Sequence, residues 1–256
     1  MTPEGKYIYC IILSMHDRNF GPIGVGGRRD EVLTIGYEDL TMVVSNHPLA
    51  KIKSSPENLL AHERVIEEVM KEFASVLPIR FGTIAANADE IRNLLGRRYR
   101  EFKNLLRDME HFVELGVKGT WRNMDVIFKE IEKENEPIRK EKKKISSHPG
   151  AHDMEAREKI GKMVMDALQV KKAAEADAVV EALRRSAYEF KVNSTSGDEQ
   201  FLNASFLVGR GREKEFDNVM NELGEKYKNR VQFAYSGPFP VFNFVNITIY
   251  PEEWEK

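Results

Sequence analysis

The apolar residues of this chain come in short runs separated by amphipathic stretches, and that alternation limits what the chain can fold into. The first run, Tyr7-Ile8-Tyr9-Cys10-Ile11-Ile12-Leu13, has the length and composition of a buried β-strand. A glycine-rich loop through Gly21, Gly24, Gly26 and Gly27 follows it. Two further strands are expected at Val32-Leu33-Thr34-Ile35 and Leu40-Thr41-Met42-Val43-Val44, joined by a turn around Gly36. Ser55 as N-cap and Pro56 in the first turn then open a helix. Its residues Leu59, His62, Ile66, Val69, Met70 and Phe73 share one face at spacings of three and four.

Leu77 to Phe81 reads as another strand. Asn87 with Glu90 resembles a capping box, and Ile91, Leu94, Leu95, Phe102, Leu105, Leu106 and Met109 mark the stripe of a second helix. Val113, Leu115, Val117 and Trp121 alternate along a last strand. This order predicts an α+β domain over residues 1–121, its helices on one face of a mainly antiparallel sheet. A ferredoxin-like layout is the nearest simple arrangement.

Beyond Trp121 the composition changes. Met124 to Lys144 is charge-dense and helical, ending in Arg139-Lys140-Glu141-Lys142-Lys143-Lys144, and Ser146-Ser147-His148-Pro149-Gly150 breaks it. A long helix is expected from about His152 to Phe190, with a thin, alanine-rich stripe through Ile160, Val164, Leu168, Ala174, Ala178, Val179 and Leu183. These two segments predict an antiparallel helical pair over about 124–190 within a second α+β domain at 122–256. That domain closes with a strand through Leu202, Ala204, Phe206 and Val208 and a helix through Phe216, Val219, Met220, Leu223 and Tyr227. Strands at Val231–Tyr235 and Val241–Tyr250 around a Gly237-Pro238-Phe239-Pro240 turn complete it.

Composition excludes several classes of function. A formal net charge of −2 supplies no concentrated basic face for nucleic acid or an anionic bilayer. Cys10 is the only cysteine, so neither an intrachain disulfide nor a cysteine-based zinc site can form. No apolar run approaches the roughly 18 residues of a membrane span, and Met1 to Lys6 do not resemble a secretory leader. The cytoplasm is the expected compartment.

Catalytic motifs are missing. Gly24-Val25-Gly26-Gly27 lacks the spacing of a dinucleotide or P-loop fingerprint and is followed by a strand, so it reads as a surface loop. His148 and His152 are four apart, but Pro149 and Gly150 deny them the helical geometry of a metal pair. His16 and His47 fall in or near loops, His111 begins a strand, and Glu67-Glu68 and Glu252-Glu253 read as solvated surface. His62 lies on the core stripe of its helix, the place of a hydrogen-bonded structural histidine. Arg80 interrupts the apolar Leu77–Phe81 strand and, if covered, needs a partner such as Glu114. No metal, cofactor or catalytic residue is expected.

Five stretches, taken in order, resemble the GvpF/GvpL family of gas vesicle proteins. They are Tyr7-Ile8-Tyr9; His62; Leu77-Pro78-Ile79-Arg80-Phe81-Gly82-Thr83; Val113-Glu114-Leu115-Gly116-Val117-Lys118 with Trp121; and Ser236-Gly237-Pro238-Phe239-Pro240-Val241-Phe242-Asn243-Phe244. Asn203-Ala204-Ser205-Phe206-Leu207-Val208 also resembles the family's carboxy-terminal half, and the Leu77–Thr83 block is the most specific. The resemblance implies a ferredoxin-like amino-terminal domain and a modified ferredoxin-like carboxy-terminal domain with long helices. It also implies a non-enzymatic minor component or assembly factor of gas vesicles, contacting the small hydrophobic main shell protein during nucleation or growth. Arg80, Phe81, Glu114, Trp121, Pro238 and Phe239 are the candidate structural or interaction residues. A small-molecule-binding regulatory module, with Arg80 and the glycine loop as its site, is the alternative.

Overall fold

The structure is a computed structural model and describes residues 3–147 and 153–249. The expected break at His148-Pro149-Gly150, the His148/His152 spacing, Glu252-Glu253 and the end of the last strand at Tyr250 lie outside these residues. The chain divides into two compact units, one of Met1–Glu114 with Pro238–Lys256 and one of Leu115–Gly237.

The first unit is built on an antiparallel sheet. Its strands are β1 (Glu4–Leu13), β2 (Asn19–Gly21), β3 (Val32–Tyr37), β4 (Leu40–Pro48), β5 (Leu77–Pro78) and β6 (Ile84–Ala85). They run in the order β2-β3-β4-β1-β5, with β6 also on β1. Tyr7 to Ile12 are all fully buried, which requires both faces of β1 to be covered. A bulge between Ile8 and Cys10 resets the alternation. Tyr7 and Tyr9 before it and Cys10 and Ile12 after it therefore share one cluster with Val65, Ile66 and Val69 of helix α1 (Pro56–Met70). Ile8 and Ile11 lie outside that cluster, and helices α2 (Ala88–Arg97) and α3 (Tyr99–Met109) contact β1, β3 and β4. Helices thus cover both faces, where the sequence predicted one.

Ser55 caps α1 by accepting from the Asn58 amide, with Pro56 at the first position. Asn87 caps α2, and Glu90 accepts from the Ala86 amide, one residue earlier than a standard capping box. The single helix expected over Ile91–Met109 is two. Arg98 leaves helical geometry (φ −104°, ψ 20°), forks onto Glu101 and donates to Thr248 O at 2.8 Å. The β3–β4 turn sits at Glu38, whose φ is +54°, and Gly36 lies inside β3 opposite Thr41.

The second unit carries a four-stranded sheet of order β10-β7-β9-β8, from β7 (Phe112–Trp121), β8 (Glu189–Val192), β9 (Gln200–Gly209) and β10 (Val231–Phe239). Helices α4 (Met124–Glu134), α5 (Glu136–Ser147), α6 (Asp153–Leu183) and α7 (Glu213–Tyr227) accompany it. Asn135 divides the first charged helix, its side chain donating to Ile131 O, and Pro137 suits the first turn of α5. The long helix ends at Leu183 and a 3-10 turn, so Phe190 belongs to β8, not to a helix. The expected Gly237–Pro240 turn is strand as far as Phe239, and residues 241–249 form a turn and an extended tail, not a strand.

Candidate functional site

The Leu77–Thr83 block is a clasp around β1. Ile79 N donates to Tyr9 O at 2.9 Å and Ile8 N to Thr83 O at 3.0 Å. Between those ties, Gly82 at φ +86° lets the chain turn, and Thr83 Oγ1 donates to Arg80 O at 2.7 Å. That turn is why the strand expected to reach Phe81 stops at Pro78.

His62 locks the clasp from the helix side. Its Nε2 lies 3.1 Å from Ile79 O, a pure acceptor, so Nε2 carries the proton. Nδ1 then accepts from the Tyr7 hydroxyl at 3.0 Å, and that hydroxyl oxygen accepts from the Gly82 amide at 3.0 Å. Burial lowers the His62 pKa to about 4, only partly opposed by the bond to the Ile79 carbonyl. Burial likewise raises the Tyr7 pKa above its ordinary value. The Phe81 ring stands edge-on to His62 at 5.7 Å and to Tyr7 at 6.1 Å. Both imidazole nitrogens are committed to structure, which leaves His62 no general-base role in this state.

Tyr9 does the same for the glycine loop. Its hydroxyl accepts from Val25 N at 2.9 Å and pairs with Ser45 Oγ at 2.8 Å, and Gly24 N donates to Asp30 O. Burial pushes the Tyr9 pKa up to about 12. The loop closes on the body of the protein through these bonds.

The clasp turns Arg80 outward. Its side chain is exposed and makes no ion pair among the described residues, so the expected partnership with Glu114 does not form. Beside it is a cleft of about 480 Å³ whose lining includes Lys51, Arg80, Phe81, Leu94, Arg97 and Ile249. Glu114 is buried and gives both carboxylate oxygens to Asn243, accepting from its backbone amide at 2.8 Å and from its side-chain amide. Val241, Val245 and Ile247 are buried in that same tail, while Pro238 is exposed and Phe239 half-buried at the end of β10.

Trp121 belongs to the second unit, stacked on Phe201 at 5.2 Å and donating to Glu175 Oε2 at 2.7 Å. It joins a charged network that sequence reasoning missed. Arg230 forks onto Glu130 at 2.6 and 2.8 Å and reaches Glu175 at 2.6 Å, while Lys171 lies 3.1 Å from both Glu130 and Glu134. The Arg230 fork holds the Glu130 carboxyl down to about 2. Glu130/Glu134 and Lys171/Glu175 each sit at i, i+4, a signal visible in the sequence. Arg230, alone in a turn, gave none. Arg80 and Phe81 therefore come together, while Glu114, Trp121 and the Pro238–Phe239 pair each serve a different neighbourhood.

Residues 5–246 match the family model described as gas vesicle synthesis protein GvpL/GvpF. The chain belongs to the GvpL/GvpF family. Gas vesicle protein F1 of Halobacterium salinarum is 27% identical, covering 98% of this chain and 97% of that protein. Gas vesicle protein F of a Streptomyces species is also 27% identical, over 93% of this chain and 98% of the relative. The crystal structure of GvpF from Anabaena sp. PCC7120 superposes with a TM-score of 0.78 at 21% identity, covering 96% of this chain and all (100%) of that one. GvpF from Microcystis aeruginosa gives 0.76 at 20% identity, over 95% and 99% of the two chains. The fold is therefore that of GvpF, mixed α and β with two antiparallel sheets. Among the described residues no helix is long and apolar enough to cross a membrane, and no cluster of histidine, cysteine and carboxylate side chains could hold a metal ion.

Proposed function

We propose that this chain is a non-catalytic assembly factor of gas vesicles that binds the main hydrophobic shell protein in the cytoplasm during nucleation or growth. Membership of the GvpL/GvpF family across residues 5–246 carries the reading. The family's most specific block, Leu77–Thr83, spends its backbone and the His62 contact on a rigid clasp, yet leaves Arg80 exposed beside a cleft. An exposed cation carried on a rigid turn, without an ion pair among the described residues, suits a surface that meets a partner. A subunit that polymerises through apolar surface needs a soluble partner while it waits. The reading treats the two sheets as ferredoxin-like units, and other gas vesicle proteins as further partners.

The test is co-purification of the purified shell protein with the wild-type chain and with Arg80→Glu. The expected result is a stoichiometric complex that the reversed charge weakens while thermal stability is unchanged. No complex with any gas vesicle component, together with normal vesicles after deletion of the chain, overturns the proposal.

The cleft itself favours one second reading. About 480 Å³ is ligand-sized, and Lys51, Arg80 and Arg97 beside Phe81 and Leu94 suit an anionic, partly apolar metabolite. Binding of such a compound, lost in Arg80→Ala, would move the assignment to a regulatory module.

A further inference from the structure

Strand β6 lies at an edge of the first sheet, and its outer side carries unfilled hydrogen-bonding groups. Among the described residues it pairs with β1, in the register Lys6↔Ala85 and Tyr7↔Ile84, and Ile8 N continues that ladder by donating to Thr83 O at 3.0 Å. In an antiparallel ladder, residues bonded to the neighbouring strand alternate with residues whose N–H and C=O point away from it. Thr83 is bonded to β1, so Ile84, the next residue, turns its N–H and C=O outward. Neither group has a hydrogen-bond partner among the described residues. The Ile84 side chain packs against the cluster that contains Tyr7 and Val65, which fixes where those two groups stand.

Ile84 also lines the cleft of about 480 Å³ beside Arg80, so the open edge and the cleft are continuous. Lys51 and Arg80 line it as well, both exposed and neither in an ion pair among the described residues. Both belong to one end of the cleft. Ile52 Cγ2 lies 3.7 Å from where a Cβ on Gly82 would stand, which brings its neighbour Lys51 to the turn that carries Arg80. Leu49, Phe81, Leu94 and Ile249 supply apolar wall. The donor and acceptor of Ile84 match one residue of an added strand, the two cations match a carboxylate, and the wall matches an apolar side chain.

We propose that this cleft captures the extended carboxy-terminal end of a partner protein, added antiparallel to β6 with its terminal carboxylate at Lys51 and Arg80. It rests on the reading that the chain binds another protein, and specifies the mode of contact. Direction follows from the geometry. β6 leads away from the clasp turn and the cations stand at that turn, so a strand that delivers an anion to them runs toward the turn, against β6. Past Thr83 the edge bends into the clasp and offers no further ladder, which suits a chain that ends there better than one that continues. A compact anion would satisfy the cations yet leave Ile84 unpaired. That difference separates a peptide end from a metabolite.

The experiment is titration of the full chain with a fluorescent, amino-terminally blocked pentapeptide of threonine and valine that ends in valine with a free carboxylate. The expected result is saturable binding with a dissociation constant below about 1 mM. Amidating the peptide's carboxylate should weaken it at least about tenfold, as should Arg80→Ala, and Lys51→Ala should weaken it at least about threefold. Both substitutions are at exposed positions. Methylating the peptide nitrogens one at a time should abolish binding at the residue opposite Ile84 and spare its two neighbours, whose N–H groups point away from β6. The Ile84 amide should gain protection from hydrogen exchange when the peptide is bound. No binding up to about 1 mM, equal binding by the amidated peptide, competition by acetate as strong as by the peptide, or indifference to every nitrogen methylation overturns the proposal. Co-purification of the purified shell protein reports separately on the parent reading, which stands if that complex forms while the peptide fails.

Discussion

The Tyr7 hydroxyl donates to His62 Nδ1 at 3.0 Å, and this bond decides how the most family-like segment responds to acid. His62 is neutral in the fold, with its pKa lowered from 6.5 to about 4, mainly by burial. As pH falls through 6.5 the unfolded chain takes up a proton that the folded chain refuses. The stabilisation is therefore complete above about 6.5 and is lost progressively toward about 4. Its size is roughly 3 kcal/mol. Urea midpoints should fall steeply across that window. His62→Phe should cost about 2–4 kcal/mol at neutral pH, by stranding the Tyr7 hydroxyl and the Ile79 carbonyl, and should flatten the slope. An unchanged slope in the variant would count against this role.

Glu114 and Asn243 should govern docking of the carboxy-terminal tail. A carboxylate buried this deeply needs its bonds, and Asn243 supplies one from its backbone and one from its side chain. Glu114→Ala removes both acceptors at once. The expected loss is about 2–3 kcal/mol, with faster hydrogen exchange in the Val241–Ile247 segment while α1 keeps its protection. Exchange that rises uniformly would show that the pair acts on the whole unit and does not specifically hold the tail.

The sequence conveyed most of this fold where local chemistry is decisive. Ser55-Pro56 and Asn87 start helices because caps satisfy orphan amides whatever surrounds them. The errors lie where tertiary contacts override local pattern. Phe190 continues a helical stripe, but Phe190 and Val192 also alternate with Glu189 and Lys191, and an edge strand beside β9 uses that period of two. Val241–Ile247 alternates like a strand, but its buried residues pack without a ladder because Glu114 captures Asn243 in a turn. Arg80 in an apolar run looked covered. Gly82, at φ +86°, turns the chain just after it and leaves Arg80 exposed, and backbone φ is invisible in a pattern of side chains. The partner of Glu114 was out of reach for a related reason, since 129 residues separate it from Asn243.

Arg230 should matter more than an ordinary surface arginine. It and Lys171 are two cations set among three carboxylates, Glu130, Glu134 and Glu175. Arg230→Met leaves one cation for these three acids and removes the fork onto Glu130. The expected cost is about 2–3 kcal/mol after allowing for partial exposure, and added salt should recover part of it by screening the acids. Arg230→Lys should recover less than half, because an ammonium cannot serve two carboxylates in one plane. Glu130 has its pKa depressed to about 2, so the clamp is present above about 4.5 and weakens as pH falls toward about 2. Thermal melts of the three proteins across that acid range would test the assignment. A wild-type advantage that persists unchanged at about pH 2 would refute it.

Two glycine-to-alanine substitutions in the second unit should change stability in opposite directions. A Cβ at Gly119 in β7 would meet the Phe201 ring at 2.8 Å from Cζ and 3.0 Å from Cε1, and that ring is stacked between strand and Trp121 with no flexible end to yield. Gly119→Ala should therefore cost about 1–3 kcal/mol and alter the near-ultraviolet circular dichroism of Trp121, measured in a Trp254→Phe background. Gly224, inside α7, has nothing within 4 Å of an added Cβ. There the same methyl meets no obstacle and the helix gains the lower backbone entropy of alanine, so Gly224→Ala should stabilise by about 0.5–1 kcal/mol. The contrast isolates packing from propensity, because the chemical change is identical and only the neighbouring ring differs. If both variants destabilise, the free space at Gly224 is not available in solution; if neither does, Phe201 can leave Trp121 at little cost.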